Sequence, residues 1–250
     1  MRCHPRQGHQ CDHRSDGLTY FPKRCYAKPA FTLMPVVCFS EKNFSFPSLD
    51  EADSEGLLLI GGRVTPERVL EAYPKGIFPW YNEDEVPLWW SPDPRFVLFP
   101  EALHVSSSMQ KILRKNSFEF KTDHAFKEVI TACATVERED QDGTWITPEI
   151  KEVYCALHQK GIAHSAEAWL NGELVGGVYG LLIGKVFFGE SMFSKRSNAS
   201  KFAFIRYVQH LQQQGISLVD CQVYTPHVES LGATLIPRER FTALLKQLCF

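Results

Sequence analysis

The alternation of apolar and polar residues singles out one short segment near the end of the chain. Residues 218–223, Leu-Val-Asp-Cys-Gln-Val, predict a buried strand that carries a carboxylate and a carboxamide two positions apart. Side chains alternate between the two faces of a strand, so Asp220 and Gln222 point the same way while Val219 and Cys221 fill the other face. Two polar groups in an apolar strand are costly unless they are paired or used, which makes this strand a candidate part of an active site.

A second polar interruption follows another apolar run. Residues 185–188, Lys-Val-Phe-Phe, predict a strand that Gly189, Glu190 and Ser191 bring to an end. We expect the strand of Glu190 to neighbour the strand of Asp220, and we expect the site to lie between them.

The same patterning predicts a regular series of elements after residue 105. The predicted helices cover 106–115, 126–137, 148–160 and 198–214, with a short helix after 223 and a last one after 237. The predicted strands cover 118–120, 164–170, 173–183, 185–190, 216–223 and 234–236, and Asn171-Gly172 predicts a tight hairpin. This order predicts an α+β fold whose mixed sheet has a splayed centre, as in the acetyltransferase superfamily.

The segment before residue 105 is rich in proline, glycine and aromatic residues. Thr65 and Pro66 predict the start of a short helix that runs to about residue 73, and residues 76–81 and 88–95 are predicted as loops. Trp80, Trp89 and Trp90 fit either a small aromatic core or the wall of a ligand pocket. We therefore divide the chain into a disordered basic extension (1–33), an N-terminal domain (34–104) and an acetyltransferase-like catalytic domain (105–250).

Composition narrows the class of protein. The chain has 250 residues, of which 44% are hydrophobic, and its apolar runs are shorter than the roughly 18 residues that a membrane span needs. Residues 1–30 carry a charge of +4, so the rest carries −6, and a nucleic-acid partner would need a local basic patch. The eight cysteines show no pairing pattern, which indicates a reducing, cytoplasmic setting. The Cys and His residues before position 26 match no zinc motif, and we expect no metal.

Seven blocks of sequence, in order between residues 46 and 248, resemble the leucyl/phenylalanyl-tRNA–protein transferase family. They are residues 56–62 (GLLLIGG), 73–80 (YPKGIFPW), 88–95 (LWWSPDPR), 143–147 (GTWIT), 174–180 (LVGGVYG), 189–194 (GESMFS) and 220–223 (DCQV). The first 33 residues have no counterpart in the family pattern, and the chain stops soon after the last helix, where relatives can continue.

The resemblance implies an aminoacyltransferase with an acetyltransferase-like C-terminal part. Its donors would be leucyl-tRNA and phenylalanyl-tRNA, and its acceptors would be proteins that begin with arginine or lysine. We expect a monomer that needs no cofactor and does not bind a membrane.

The chemistry of such a transfer fits the polar strand residues. An ester of tRNA is already activated, so what remains is to remove a proton from the attacking amine and to stabilise an oxyanion. Asp220 suits the role of general base or of a group that orients the amine, since burial strengthens the affinity of a carboxylate for a proton. Gln222 can hold Asp220 or the amine, or donate to the oxyanion, and the resemblance marks both residues as central. The alternative is a satisfied buried polar pair.

Glu190 has two readings from its position. It can bind the cationic side chain of the acceptor or orient its amine, or it can cap a turn with Ser191.

Substrate contacts are expected from aromatic and basic residues. Trp80 and Trp145 are candidates for stacking on the terminal adenosine, a role that the resemblance favours. Phe187 is a candidate for the wall of the apolar pocket that binds the donor side chain, although core packing explains it equally well. Candidates for contacts with tRNA phosphates, each of which also fits a solvated face, are Lys111, Arg114, Lys115 and Lys121, and then Lys195, Arg196, Lys201 and Arg206.

Three other functions compete with this interpretation. An acyl-CoA-dependent N-acetyltransferase would need a glycine-rich turn for pyrophosphate, and the equivalent residues 194–199 contain no glycine. A peptidoglycan-building aminoacyltransferase fits the seven blocks poorly. A non-catalytic RNA-binding protein is the third, and it predicts that Asp220→Asn leaves both tRNA binding and all cellular effects untouched.

Overall fold

A computed structural model describes residues 45–136 and 144–250. The predicted extension, residues 1–33, lies outside the described residues, as does residue 137 at the predicted end of one helix. Among the residues that are described, no helix is both long and apolar enough to cross a membrane.

The N-terminal part contains a small antiparallel sheet around a short helix. Its elements are β1 (Leu57–Ile60), α1 (Pro66–Ala72), β2 (Phe78–Pro79) and β3 (Leu88–Trp90), and the strands lie in the order β1-β3-β2. Helix α1 begins as predicted, because the Thr65 side chain accepts a hydrogen bond from the Arg68 backbone N–H and Pro66 occupies the first helical position. The loop prediction for 76–81 and 88–95 was wrong over β2 and β3, whose aromatic residues pair across the strands and are buried.

Seven strands form the main sheet, in the order β10-β4-β9-β8-β7-β6-β5. Their bounds are β4 (Arg95–Leu98), β5 (Glu119–Thr122), β6 (Ala163–Leu170), β7 (Glu173–Ile183), β8 (Val186–Ser194), β9 (Leu218–Gln222) and β10 (Thr234–Ile236). Strand β4 precedes residue 105, yet it pairs with β9 and β10. The main sheet therefore extends back across the predicted domain boundary, and the division into domains stays a prediction.

Helices cover both faces of the main sheet. They are α2 (Ser107–Arg114), α3 (Phe126–Thr135), α4 (Pro148–Gln159), α5 (Ala199–Gln213), α6 (Pro226–Glu229) and α7 (Arg238–Leu248). One face packs in a single apolar cluster with the N-terminal part, α3, α4 and α7, and we call it the inner face. The opposite face packs against α2 and α5, and we call it the outer face.

The strand directions confirm the predicted acetyltransferase-like sheet. Strands β5 to β8 are antiparallel neighbours, whereas β8 and β9 run parallel and are linked by α5. Asn171 and Gly172 have φ angles of 52° and 82°, as the two central residues of the predicted hairpin turn require. The ladder of β8 and β9 runs from Val186–Leu218 to Phe188–Asp220, so the pairing stops where the polar residues begin.

Candidate active site

Strand β9 presents its two polar side chains to the inner face, as the alternation predicted. Leu218 packs in the inner apolar cluster, while Val219 and Cys221 pack in the outer one. Asp220 is fully buried and Gln222 is 8% exposed. The two polar residues therefore lie on the side of the sheet that faces the N-terminal part.

Asp220 is held by an arginine that the sequence did not single out. Arg95, the first residue of β4, donates from Nε to Asp220 Oδ1 at 2.8 Å and from Nη2 to Oδ2 at 2.7 Å. Both side chains are 1% exposed or less, so this is a buried, bidentate ion pair. Such a pair satisfies both carboxylate oxygens, which answers the question of how an apolar strand tolerates this charge.

Gln222 ends β9 in an unusual backbone conformation. Its φ angle is 62°, in the left-handed region that residues other than glycine seldom occupy. Its backbone N–H donates to Asp220 Oδ1 at 2.9 Å, and its side-chain Nε2 donates to Glu190 Oε1 at 3.5 Å. The Asp220 carboxylate thus fixes the turn from which the Gln222 amide reaches Glu190.

Glu190 lies at an irregularity within β8. In the ladder with β7, Gly180 pairs with Gly189 and Tyr179 pairs with Ser191, which leaves Glu190 as the extra residue of a bulge. The prediction that the strand ends at residue 190 was wrong, since β8 continues to residue 194. The bulge interrupts the strand without ending it and turns the Glu190 side chain toward the inner face.

The surroundings of Glu190 make it a weaker acid than an ordinary glutamate. Burial raises the pKa of Glu190 from 4.5 to about 7, against hydrogen bonds from Tyr73 and Tyr154 that lower it, and the negative charge of Asp220 adds to the rise. The two tyrosine hydroxyl oxygens are 2.6 Å apart in a buried contact. Burial therefore brings the pKa of the Glu190 carboxyl group close to neutral pH.

The structure brings some predicted residues together and separates others. Glu190, Asp220 and Gln222 form one connected group, joined by Arg95, Tyr73 and Tyr154, which sequence reasoning missed. The sequence feature that could have marked Arg95 is its position directly before the apolar residues 96–98. Tyr73 lay in a helix terminus and Tyr154 in the middle of an amphipathic helix, so neither was marked as functional.

The three aromatic candidates occupy different environments. Trp80 is partly exposed, and its ring centroid is 5.7 Å from that of Trp90, whose indole N–H donates to the Trp80 carbonyl at 2.8 Å. Trp145 is 4% exposed and belongs to the inner cluster. Phe187 is fully buried on the outer face, edge-on to Tyr207 at 4.9 Å. The structure therefore does not bring Phe187 to the face that carries Glu190, and core packing accounts for it.

The basic candidates form two exposed groups. Lys111, Arg114 and Lys115 are exposed on α2 and just after it. Lys195 and Arg196 are exposed in the turn between β8 and α5, beside a cavity of about 450 Å³ that Glu128 and Glu173 also line.

The other basic candidates differ in environment. Lys121 forms an ion pair with Glu119, with 3.3 Å between Nζ and Oε1. Lys201 is partly exposed on α5. Arg206 is engaged by the protein itself, since its Nη2 donates to the Leu113 carbonyl at 3.0 Å.

Metal-binding side chains are not clustered in the part of the chain that the structure describes. Within 45–136 and 144–250, no group of three or more His, Cys, Asp or Glu residues could hold a metal ion.

At the point where two parallel strands of an acetyltransferase-like sheet stop pairing, the inner face carries a carboxyl group with a pKa of about 7 beside an amide, an arrangement suited to proton transfer. Residues 97–246 match the leucyl/phenylalanyl-tRNA protein transferase family, and residues 62–93 match the N-terminal domain of the same family. The chain therefore belongs to the leucyl/phenylalanyl-tRNA–protein transferase family, and it is an aminoacyltransferase.

Individual relatives agree with this assignment. The chain is 56% identical over 202 residues to the leucyl/phenylalanyl-tRNA–protein transferase of Christiangramia forsetii, covering 80% of this chain and 95% of the relative. It is 51% identical over 219 residues to that of Desulfatibacillum aliphaticivorans, covering 88% and 91%.

Solved structures are more distant. A GCN5-related N-acetyltransferase from Kribbella flavida is 13% identical with a TM-score of 0.34, over 65% of this chain and 57% of that one. L-PGS from Bacillus licheniformis is 13% identical with a TM-score of 0.38, over 65% and 52%. Neither likeness is close enough to carry an argument.

Proposed function

We propose that this enzyme transfers leucine or phenylalanine from aminoacyl-tRNA to the α-amine of proteins that begin with arginine or lysine. Family membership supports the donor and the reaction class. The observation that carries the chemistry is the pKa of Glu190, which burial raises to about 7, with the Gln222 amide 3.5 Å away. A carboxyl group poised near neutral pH suits proton transfer from an amine better than one that stays ionised.

The proposed step needs one proton acceptor and one orienting group. Ionised Glu190 takes a proton from the α-ammonium of the acceptor, and the free amine attacks the ester carbonyl of the aminoacyl-tRNA. Formation of the C–N bond gives a tetrahedral oxyanion, which collapses as the ester C–O bond breaks. The attacking nitrogen loses its second proton, the terminal ribose oxygen leaves with that proton as a hydroxyl group, and Glu190 releases the first proton to solvent. The Gln222 amide orients the amine through its carbonyl oxygen or donates to the oxyanion through its N–H groups.

We propose that Asp220 takes neither of the two direct roles that the sequence left open, general base or orienter of the amine, and that it positions Gln222 instead. Both of its oxygens accept from Arg95, and Oδ1 also accepts from the Gln222 backbone. A carboxylate that is fully buried and engaged in this way holds the turn at Gln222 in place. We propose that it does not remove the proton itself.

The donor is proposed to reach the site along the N-terminal part. Trp80 is partly exposed and can stack on the terminal adenosine, and base–aromatic stacking contributes about 1–3 kcal/mol. Trp145 is buried, so its proposed contribution is to shape the same wall. Lys111, Arg114 and Lys115 are proposed to hold tRNA phosphates. We further propose that the enzyme works as a monomer in the cytoplasm.

The function is tested by transfer of radiolabelled leucine from leucyl-tRNA to two model proteins, one that begins with arginine and one that begins with glycine. The proposal expects label on the arginine protein alone. An N-terminally acetylated arginine protein is the matched control, and it should remain unlabelled because the α-amine is blocked. Label on neither free protein, with leucyl-tRNA still bound, would contradict the proposal and favour a binding protein or a different acceptor amine.

A further inference from the structure

We propose that Arg95 is a positioning residue that aligns the segment around Trp80 with the amine-handling pair Glu190 and Gln222. This inference rests on the proposed function. It concerns a residue that touches neither substrate in the proposed scheme and acts through its buried contacts.

On one side, Arg95 controls the strand that carries the chemistry. Its guanidinium holds both oxygens of Asp220, at 2.8 and 2.7 Å, and Asp220 Oδ1 accepts from the Gln222 backbone at 2.9 Å. Gln222 occupies the left-handed region, where the conformation of a residue other than glycine needs support from its surroundings. If Asp220 rotates, Gln222 loses that support and its amide moves relative to Glu190.

On the other side, Arg95 contacts the segment that leads to Trp80. Its Nη1 donates to the Gly76 carbonyl at 3.2 Å, and its guanidinium carbon is 4.7 Å from the ring centroid of Phe78. Phe78 precedes Trp80 by two residues in the chain. The same guanidinium therefore contacts the donor-side segment and the strand of Gln222 at once.

A third contact keeps the guanidinium from moving. The ring centroid of Phe241, on α7, is also 4.7 Å from the guanidinium carbon, so two aromatic rings contact the Arg95 guanidinium. Gly76, with φ of 82°, packs against the same ring, and a Cβ there would come within 3.2 Å of Phe241 Cε1. These rings hold the guanidinium plane in the orientation in which Nε and Nη2 meet the Asp220 carboxylate.

Lysine cannot reproduce this arrangement. It keeps the positive charge but presents a point charge without the planar fork that meets both carboxylate oxygens and the Gly76 carbonyl. Arg95→Lys therefore tests geometry without leaving the buried Asp220 charge unpaired, which would destabilise the fold for a different reason.

The experiment compares steady-state transfer of leucine by the wild-type enzyme and Arg95→Lys, at varied leucyl-tRNA. We expect kcat to fall about 100-fold, as a misplacement of about 1 Å can produce, while KM for leucyl-tRNA stays within about twofold. Arg238→Lys is the matched control. Arg238 donates from Nη1 to the Ser91 carbonyl at 2.7 Å, and it is not among the described residues that hydrogen-bond to Asp220. Its replacement by lysine should therefore leave kcat unchanged.

A double-mutant cycle shows whether Arg95 acts through Asp220. In an Asp220→Asn background, Arg95→Lys should cause little further loss of kcat, because the contact that it perturbs is already altered. A full additional 100-fold loss would overturn the inference, as would an unchanged kcat or a change confined to KM in Arg95→Lys alone.

Two further observations keep the test decisive. If Arg95→Lys does not fold, Phe241→Leu removes one ring from the guanidinium without touching a charge, and we expect kcat to fall about tenfold at constant KM by the same misalignment. An unchanged kcat in a folded Phe241→Leu enzyme would refute the inference. Wild-type transfer is measured first, so that its absence counts against the proposed function and not against the role of Arg95.

Discussion

Replacing Glu190 by glutamine should change how the stability of the enzyme depends on pH. The pKa of Glu190 is raised by burial to about 7 in the folded protein, against 4.5 for an ordinary glutamate. The folded state therefore binds this proton more tightly than the unfolded state does. The contribution to stability is fully present below about pH 4.5 and is lost as the pH rises through 7, so the wild-type protein should be weakened on the alkaline side.

The size of the effect follows from the two pKa values. A tenfold change in proton affinity is worth about 1.4 kcal/mol, so the rise from 4.5 to about 7 corresponds to a limit of about 3 kcal/mol. Between pH 5 and pH 8 the contribution of this group changes by about 2.5 kcal/mol. Glutamine keeps the shape and the acceptor oxygen of the neutral acid but cannot ionise, so Glu190→Gln should not share this loss.

The assay is urea unfolding at pH 5, 6, 7 and 8, with the free energy of unfolding of Glu190→Gln compared with that of the wild type. We expect the difference to move in favour of the variant by about 2–3 kcal/mol from pH 5 to pH 8. Glu128→Gln, at an exposed position on α3, is the matched control and should follow the wild type. A difference that does not change with pH would refute the reasoning that the pKa of Glu190 is raised in the folded enzyme.

Three further predictions concern the substrates. Replacing Lys111, Arg114 and Lys115 together by alanine should raise KM for leucyl-tRNA and flatten its dependence on salt, because phosphate contacts release counterions; no change in either would remove this patch. Trp80→Ala should weaken binding of a short aminoacyl-adenosine analogue by about 5- to 150-fold, the equivalent of about 1–3 kcal/mol of stacking, whereas an unchanged Kd measured by calorimetry would exclude stacking there. Acetyl-CoA should leave the Tm unchanged, since the turn at 194–199 has no glycine, and a clear rise in Tm would favour acyl-CoA chemistry.

Periodicity predicted the elements whose pattern is local. Strand β9 was expected from six residues, and the hairpin at Asn171-Gly172 from two, because alternation and turn chemistry are written into adjacent positions. Strands β2 and β3 were missed, since prolines and aromatics crowd that segment and β3 lies between β1 and β2, pairing with both. Local pattern cannot report a pairing that depends on distant partners.

The site was predictable only in part for a related reason. Alternation along β8 puts Phe187 and Glu190, three positions apart, on opposite faces, and the structure agrees, since Phe187 packs in the outer cluster. The pocket role for Phe187 had been assigned from its apolar character alone. Arg95 and Asp220 are 125 positions apart in the chain, and nothing in either neighbourhood points to the other. The proton affinity of Glu190 likewise depends on Tyr73 and Asp220, which only the folded chain brings to it.

The most direct test of the proposed site is single-turnover transfer of leucine, from saturating leucyl-tRNA to a protein that begins with arginine, by the wild type, Glu190→Gln and Gln222→Asn. Asparagine tolerates the left-handed conformation of residue 222 but shortens the amide by one carbon. The account predicts that both variants bind leucyl-tRNA normally and lose at least about 100-fold in the rate of transfer. Wild-type rates in both folded variants would contradict it.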